Sequence, residues 1–205
     1  MSKIATMASL FPPVNFNCVE DGLYRSGMPF EINFEVNYSF KPSLVQYPSY
    51  PIPIAFFCFQ FIKTLKLKTV VVLTSNYVDD SVSKFFEENN IQVVYVENSV
   101  TDALHGVLPF AEEMVTESLN VIADKANYPV LVSCKSGKNL TGVVIACLRK
   151  LQRWSLISIY EEYRRYAGGS RLQQQHEQFV ELFDTDLIHL GSNAPPFLMK
   201  QIQQS

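Results

Sequence analysis

The chain has 205 residues, 47% of them hydrophobic and 18% charged, with a formal net charge of −3 and a pI near 5.6. That is apolar material for one folded domain with a substantial core, and too much for a disordered chain. The acidic balance excludes a bulk electrostatic drive toward nucleic acid or an anionic membrane, so any anion site has to be local.

Residues 1–15 are expected as a flexible N-terminal tail, and no secretory signal is read in them because no long apolar run follows the basic start. "NCVEDGLYRSGMP" (17–29) reads as strand, turn and strand, with Asp21-Gly22 as the turn. In residues 35–59 prolines recur among aromatics and neither helical nor strand periodicity persists, so an irregular, atypical insertion is expected. Its most apolar run continues to Ile62 and is too short and proline-rich to span a membrane. Residues 67–75 are a β-branched run, hence a buried strand. Residues 79–90 are a helix, 91–97 a strand and 98–108 a loop. Residues 109–125 are a helix with Phe110, Met114, Val121 and Ile122 roughly on one face.

"YPVLVS" (128–133) is another strand. Residues 141–154 form a helix that is apolar on nearly all sides at its start, so it should run through the domain centre. Residues 155–167 form a helix capped by Ser155, with Leu156, Ile159, Tyr160 and Tyr163 at helical spacing and Gly168-Gly169 as the stop. Residues 173–184 are the last helix, and 191–205 are expected as a C-terminal tail. Strands alternating with helices imply an α/β domain over residues 16–190, with a central, mostly parallel sheet flanked by helices.

The four cysteines (Cys18, Cys58, Cys134, Cys147) include no CxxC pair, and the three histidines stand apart in the chain. A disulfide framework and a zinc site are therefore not expected, nor is any metal or cofactor. A reducing, cytoplasmic setting fits.

The chemistry concentrates in "VLVSCKSGKNLTG" (130–142). An apolar strand ends at Cys134, a short loop follows, and Thr141-Gly142 opens an apolar helix. A cysteine that attacks a phosphoester needs to react as a thiolate, and helix N-termini and cations such as Lys135 and Lys138 favour that form. It also needs a phosphate cradle. Backbone N–H groups of Lys135, Ser136, Gly137, Lys138, Asn139 and Leu140 can surround an anion, with Gly137 allowing the tight curve. Thr141 is placed to hydrogen-bond the sulfur or to help cap the helix. A guanidinium that grips two phosphoryl oxygens is missing, because no loop residue is Arg.

At these residues the chain resembles the cysteine-dependent protein tyrosine phosphatases, and most of all the plant and fungal atypical dual-specificity phosphatases. Their signature is His-Cys, five residues, Arg, then Thr-Gly, often with Gly-Lys in the middle. Cys134, Gly137, Lys138, Thr141 and Gly142 match it, while Ser133 replaces the His and Leu140 the Arg. "GLYRSGMP" (22–29), "FIKTLKLKTVVVLT" (61–74), "CLRKLQRWSLISIYEEYRRYAGG" (147–169) and "FVELFD" (179–184) resemble further segments of that family. Residues 35–59 have no counterpart in its pattern, and joining residues 31–34 directly to 60–68 restores the expected run.

The resemblance implies a fold of the cysteine phosphatase type. It also implies hydrolysis of a phosphoester through a phospho-cysteine on Cys134, with no metal. Implied substrates are a phosphoprotein carrying phosphotyrosine or an inositol pyrophosphate, and implied partners are proteins of the same family; nucleic acid and membrane are not expected. The general acid is either Glu112, near the family's acidic position, or Asp102 in the preceding loop. Because Leu140 replaces the arginine, impaired activity is expected. The alternative is a pseudophosphatase that binds phosphate groups or protein partners without turnover. A rhodanese-like sulfur carrier is disfavoured by the Thr-Gly pair and the C-terminal helix. Arg25 is expected as a structural charge rather than a substrate contact. Arg149, Lys150 and Arg153 read as a solvated helix face, with polyanion contact as the alternative.

Overall fold

The structure, a computed structural model, describes residues 10–29, 54–73, 78–97, 112–169 and 173–202. Its centre is a five-stranded sheet in the order β1-β2-β5-β3-β4. The strands are β1 (Asn17–Glu20), β2 (Leu23–Gly27), β3 (Thr69–Leu73), β4 (Gln92–Val96) and β5 (Val130–Cys134). β1 and β2 pair antiparallel through the Asp21-Gly22 turn. The pairs β2–β5, β5–β3 and β3–β4 are parallel, which is the mostly parallel sheet that the alternation of elements implies.

Strand period separates two cores, because successive side chains leave a sheet on opposite faces. On one face lie Leu23, Val71, Leu73, Val130, Val132 and Cys134. They pack with α3 (Glu112–Ile122), α4 (Asn139–Leu151), α5 (Leu156–Ala167) and α6 (Gln173–Leu182). On the other lie Val70, Val72 and Leu131, covered by α1 (Ile54–Thr64) and α2 (Asp80–Glu88). Burial on both faces explains why β3 and β5 read as continuous apolar runs instead of alternating ones.

The helix signals act locally as expected. The Asp79 side chain accepts from the Ser81 N–H at the start of α2, and Ser155 accepts from the Ser158 N–H at the start of α5. Helix α5 stops at Gly168 in the left-handed region. Every residue of α4 from Thr141 to Arg149 is buried, so this helix does run through the domain centre. Within it Arg149 is structural. It binds Glu20, Glu162, Gln152 and the Val19 carbonyl, and lies over the Trp154 ring. Lys150 donates to the carbonyls of Glu181 and Phe183. For Arg149 neither a solvated face nor a polyanion contact holds, because its donors are taken up by the fold, and Lys150 uses two of its three N–H groups in the same way.

Three expectations differ from the structure. Helix α1 begins inside the 35–59 stretch expected to be irregular, and residues 35–53 of that stretch lie outside the described residues. Residues 191–205, expected as a tail, contain α7 (Pro196–Ile202), whose Leu198 is fully buried in the larger core. Residues 13–15, expected as part of a loose tail, are bonded to the sheet end: the Val14 carbonyl accepts from the Gly27 N–H at 2.7 Å. The 98–108 loop and the first residues of the 109–125 helix lie outside the described residues. No described helix is long and apolar enough to cross a membrane.

Candidate active site

β5 is the middle strand, and Cys134 is its last residue, paired in register with Gly27 of β2 and Leu73 of β3. The loop that follows therefore leaves the carboxyl end of the central strand and enters the N-terminus of α4. In open parallel sheets this is where ligands bind, because the helix end offers N–H groups that no residue within the helix can satisfy. Cys134 is 4% exposed, and its carbonyl accepts from the Met28 N–H at 2.9 Å.

The orientation of the loop's peptide groups decides what it can hold. The Ser136 carbonyl accepts from Asn15 Nδ2 at 2.7 Å. The Gly137 carbonyl accepts from Arg25 Nη2 at 2.9 Å. In a trans peptide the C=O of one residue and the N–H of the next point opposite ways. With these two carbonyls turned outward, the N–H groups of Gly137 and Lys138 are turned inward. Among the described residues no backbone carbonyl accepts from the N–H groups of residues 136–140.

Close approach makes this curve depend on glycine. Gly137 has φ +68, and a Cβ there would stand 2.4 Å from Gly27 N and 2.5 Å from Ser26 C. The loop is thus pressed directly against the end of β2. At Gly142 a Cβ would stand 2.8 Å from Tyr163 Cε2, so the first turn of α4 lies against the α5 ring without a side chain between them.

The side chains expected at the site divide into groups. Cys134, Lys135, Ser136, Gly137, Lys138, Asn139, Leu140 and Thr141 share the single strand–loop–helix segment. Thr141 is fully buried, and its Oγ1 has no partner among the described residues. The same holds for Asn139 Oδ1 and Ser26 Oγ beside the loop. Lys135 and Lys138 are exposed. A methyl group built at Gly168 would stand 3.4 Å from Lys138 Nζ, so this ammonium lies at the C-terminal end of α5, where the helix dipole favours it. Leu140, at the arginine position, is partly buried and packs against the larger core. Ser133, at the histidine position, is fully buried with its Oγ 3.9 Å from Met28 Sδ. Glu112 is exposed in the first turn of α3, and its charge is felt at Cys147 inside α4. Asp102 lies outside the described residues.

Arg25 is 1% exposed, so the structural reading holds and a direct substrate contact does not. Its guanidinium stacks on Tyr166 with Cζ 3.7 Å from the ring centroid. Behind it, the Tyr163 hydroxyl is hydrogen-bonded to His176 Nδ1, and burial pushes the phenol up to about 12. Burial also pushes the His176 imidazole below its ordinary value of 6.5, with Glu177 opposing. The unfolded chain then takes up a proton that the folded chain resists, so stability falls as pH drops through about 6.5. A His176→Gln variant should lose less stability over that window, with slopes differing by up to about 1 kcal/mol per pH unit. Urea midpoints of both proteins above and below that pH check this; parallel slopes would contradict it.

Asn15 carries no signal in the sequence, because it meets the loop from 121 residues away. Arg25 stood out in "YRSG", but its bond to Gly137 did not.

Known proteins resemble this chain over most of its length. A family model described as the tyrosine phosphatase family matches residues 37–201. A Dictyostelium discoideum protein named probable tyrosine-protein phosphatase DG1060 is 38% identical over 94% of this chain and 98% of its own. The Oryza sativa inositol diphosphatase DSP2 is 35% identical over 91% of this chain and 78% of its own. Among solved structures, the core catalytic domain of the PP-IP phosphatase SIW14 from S. cerevisiae, in complex with citrate, superposes with a TM-score of 0.64. It is 30% identical, over 87% of this chain and 90% of that one. With a match this long and a cysteine loop at the end of the central parallel strand, the chain belongs to the tyrosine phosphatase family of cysteine-dependent phosphatases.

Proposed function

We propose that this chain is a slow phosphatase that attacks a phosphoester or phosphoanhydride with Cys134. The Cys134 sulfur forms a bond to phosphorus, and the bond to the leaving oxygen breaks. The leaving oxygen takes its proton from a carboxylic acid, Glu112 or Asp102. Water then cleaves the sulfur–phosphorus bond and releases inorganic phosphate, and the sulfur leaves as thiolate. The relatives' names give two substrate classes, a phosphotyrosine protein and an inositol pyrophosphate.

One observation supports this reading above all. The carbonyls of Ser136 and Gly137 are held on the outside of the loop by Asn15 and Arg25, which leaves N–H groups to meet phosphoryl oxygens. The same loop accounts for slowness. Leu140 packs into the core where a guanidinium would bind the transition state, and a missing donor of this kind costs about 10²–10³ in rate. The packing of Leu140 also favours a second reading, a phosphate- or partner-binding module without turnover.

The test is hydrolysis of an aryl phosphate, a phosphotyrosine peptide and an inositol pyrophosphate by the natural chain and by Cys134→Ser. Slow turnover in the first and none in the second is expected. No turnover in the natural chain, together with retained phosphate binding, would move the conclusion to the binding module.

A further inference from the structure

We infer that Arg25 is a positioning residue for the Cys134 loop, holding the Gly137 carbonyl out of the cradle and placing a fixed positive charge beneath it. This rests on reading the loop as a phosphate cradle. Arg25 sits on β2, held in register between Asn17 of β1 and Val132 of β5, so its Cα is fixed by two ladders. Strand alternation sends its side chain to the face that carries Cys134 and α4. There Nη2 reaches the Gly137 carbonyl at 2.9 Å, and Nη2 also lies 3.8 Å from where a Gly142 Cβ would be. The bare first turn of α4 therefore leaves the guanidinium room.

No carboxylate among the described residues forms an ion pair with Arg25. The acidic side chain whose charge reaches it, Glu162, is bound to Arg149. Arg25 Nε has no partner among the described residues. From α5 it faces Tyr163, Tyr166 and Glu162, and from the loop Cys134. Burial pulls its affinity for its proton down, and these four groups pull it back up. A buried cation without a paired anion is costly, and an anion entering the loop relieves that cost. With Leu at position 140, Arg25 supplies from behind the wall a guanidinium, which the loop itself lacks.

The experiment is titration of the full chain with inorganic phosphate, alongside melting temperatures without ligand. The variants are Arg25→Gln and Arg25→Met, both neutral, and Arg25→Lys, which restores a charge. The neutral variants should bind phosphate about tenfold more weakly, the size expected for one nearby, partly screened charge, and Lys should recover part of the loss. Equal phosphate affinity in the natural chain and a folded neutral variant overturns the inference while leaving the cradle in place. So does a lowered melting temperature without a change in affinity, or failure of both neutral variants to fold. If the natural chain does not bind phosphate, the cradle reading itself falls, and the inference with it.

Discussion

Replacing Leu140 by Arg should raise turnover of an aryl phosphate by about 10²-fold or more. Position 140 is the second residue of α4, beside the N–H groups that the loop turns inward. A guanidinium there can bind two phosphoryl oxygens in a fork as negative charge spreads over them. The leucine it replaces is only partly buried against the larger core. The loss of its packing should therefore cost about 1 kcal/mol, and the aliphatic stem of arginine recovers some of it. Leu140→Lys is the control, since it adds a point charge without the fork and should gain less. Initial rates of the three proteins at saturating substrate decide it. A Leu140→Arg chain that binds phosphate more tightly but turns over no faster would mean that the missing arginine is not what limits the chemistry.

Gly137→Ala should destabilise the fold by about 2–4 kcal/mol and abolish phosphate binding. Two effects add. The φ of +68 is strained for any residue with a Cβ. The Cβ would also fall 2.4 Å from Gly27 N and 2.5 Å from Ser26 C, which are backbone atoms that no rotamer change can move aside. Relief requires the loop to lift off β2, which breaks the bonds from Asn15 and Arg25 to its carbonyls. The urea midpoint and a phosphate titration of the same sample measure both consequences. An alanine variant that keeps its stability and its phosphate binding would show that the loop does not depend on this contact.

Much of the fold was legible because its signals are local. The β-branched runs of β3 and β5, the caps at Asp79 and Ser155, and the Gly168-Gly169 stop each act within a few residues. So was the order of strand, Cys134 and helix. Helix α1 was hidden because "IAFFCFQFI" is apolar on all sides, so no helical stripe stands out, and the prolines before it suggested irregular chain. Helix α7 is short, and its one local sign was Pro196 at the first helical position. The buttress of the site was illegible for a different reason. Asn15 meets Ser136, and Arg25 meets Gly137, across separations of 121 and 112 residues, and neither pair leaves a period or spacing to read.

Everything proposed for the site depends on the Cys134 loop being a formed anion cradle. The most direct measurement is the rate of iodoacetamide labelling at each cysteine, at mildly acidic pH, with and without inorganic phosphate. Cys147 is the internal reference, since it is fully buried in α4 and burial pushes its thiol up. The cradle predicts that Cys134 is labelled faster than Cys147 and that phosphate slows labelling at Cys134 alone. Equal labelling of the two, unchanged by phosphate, would contradict it.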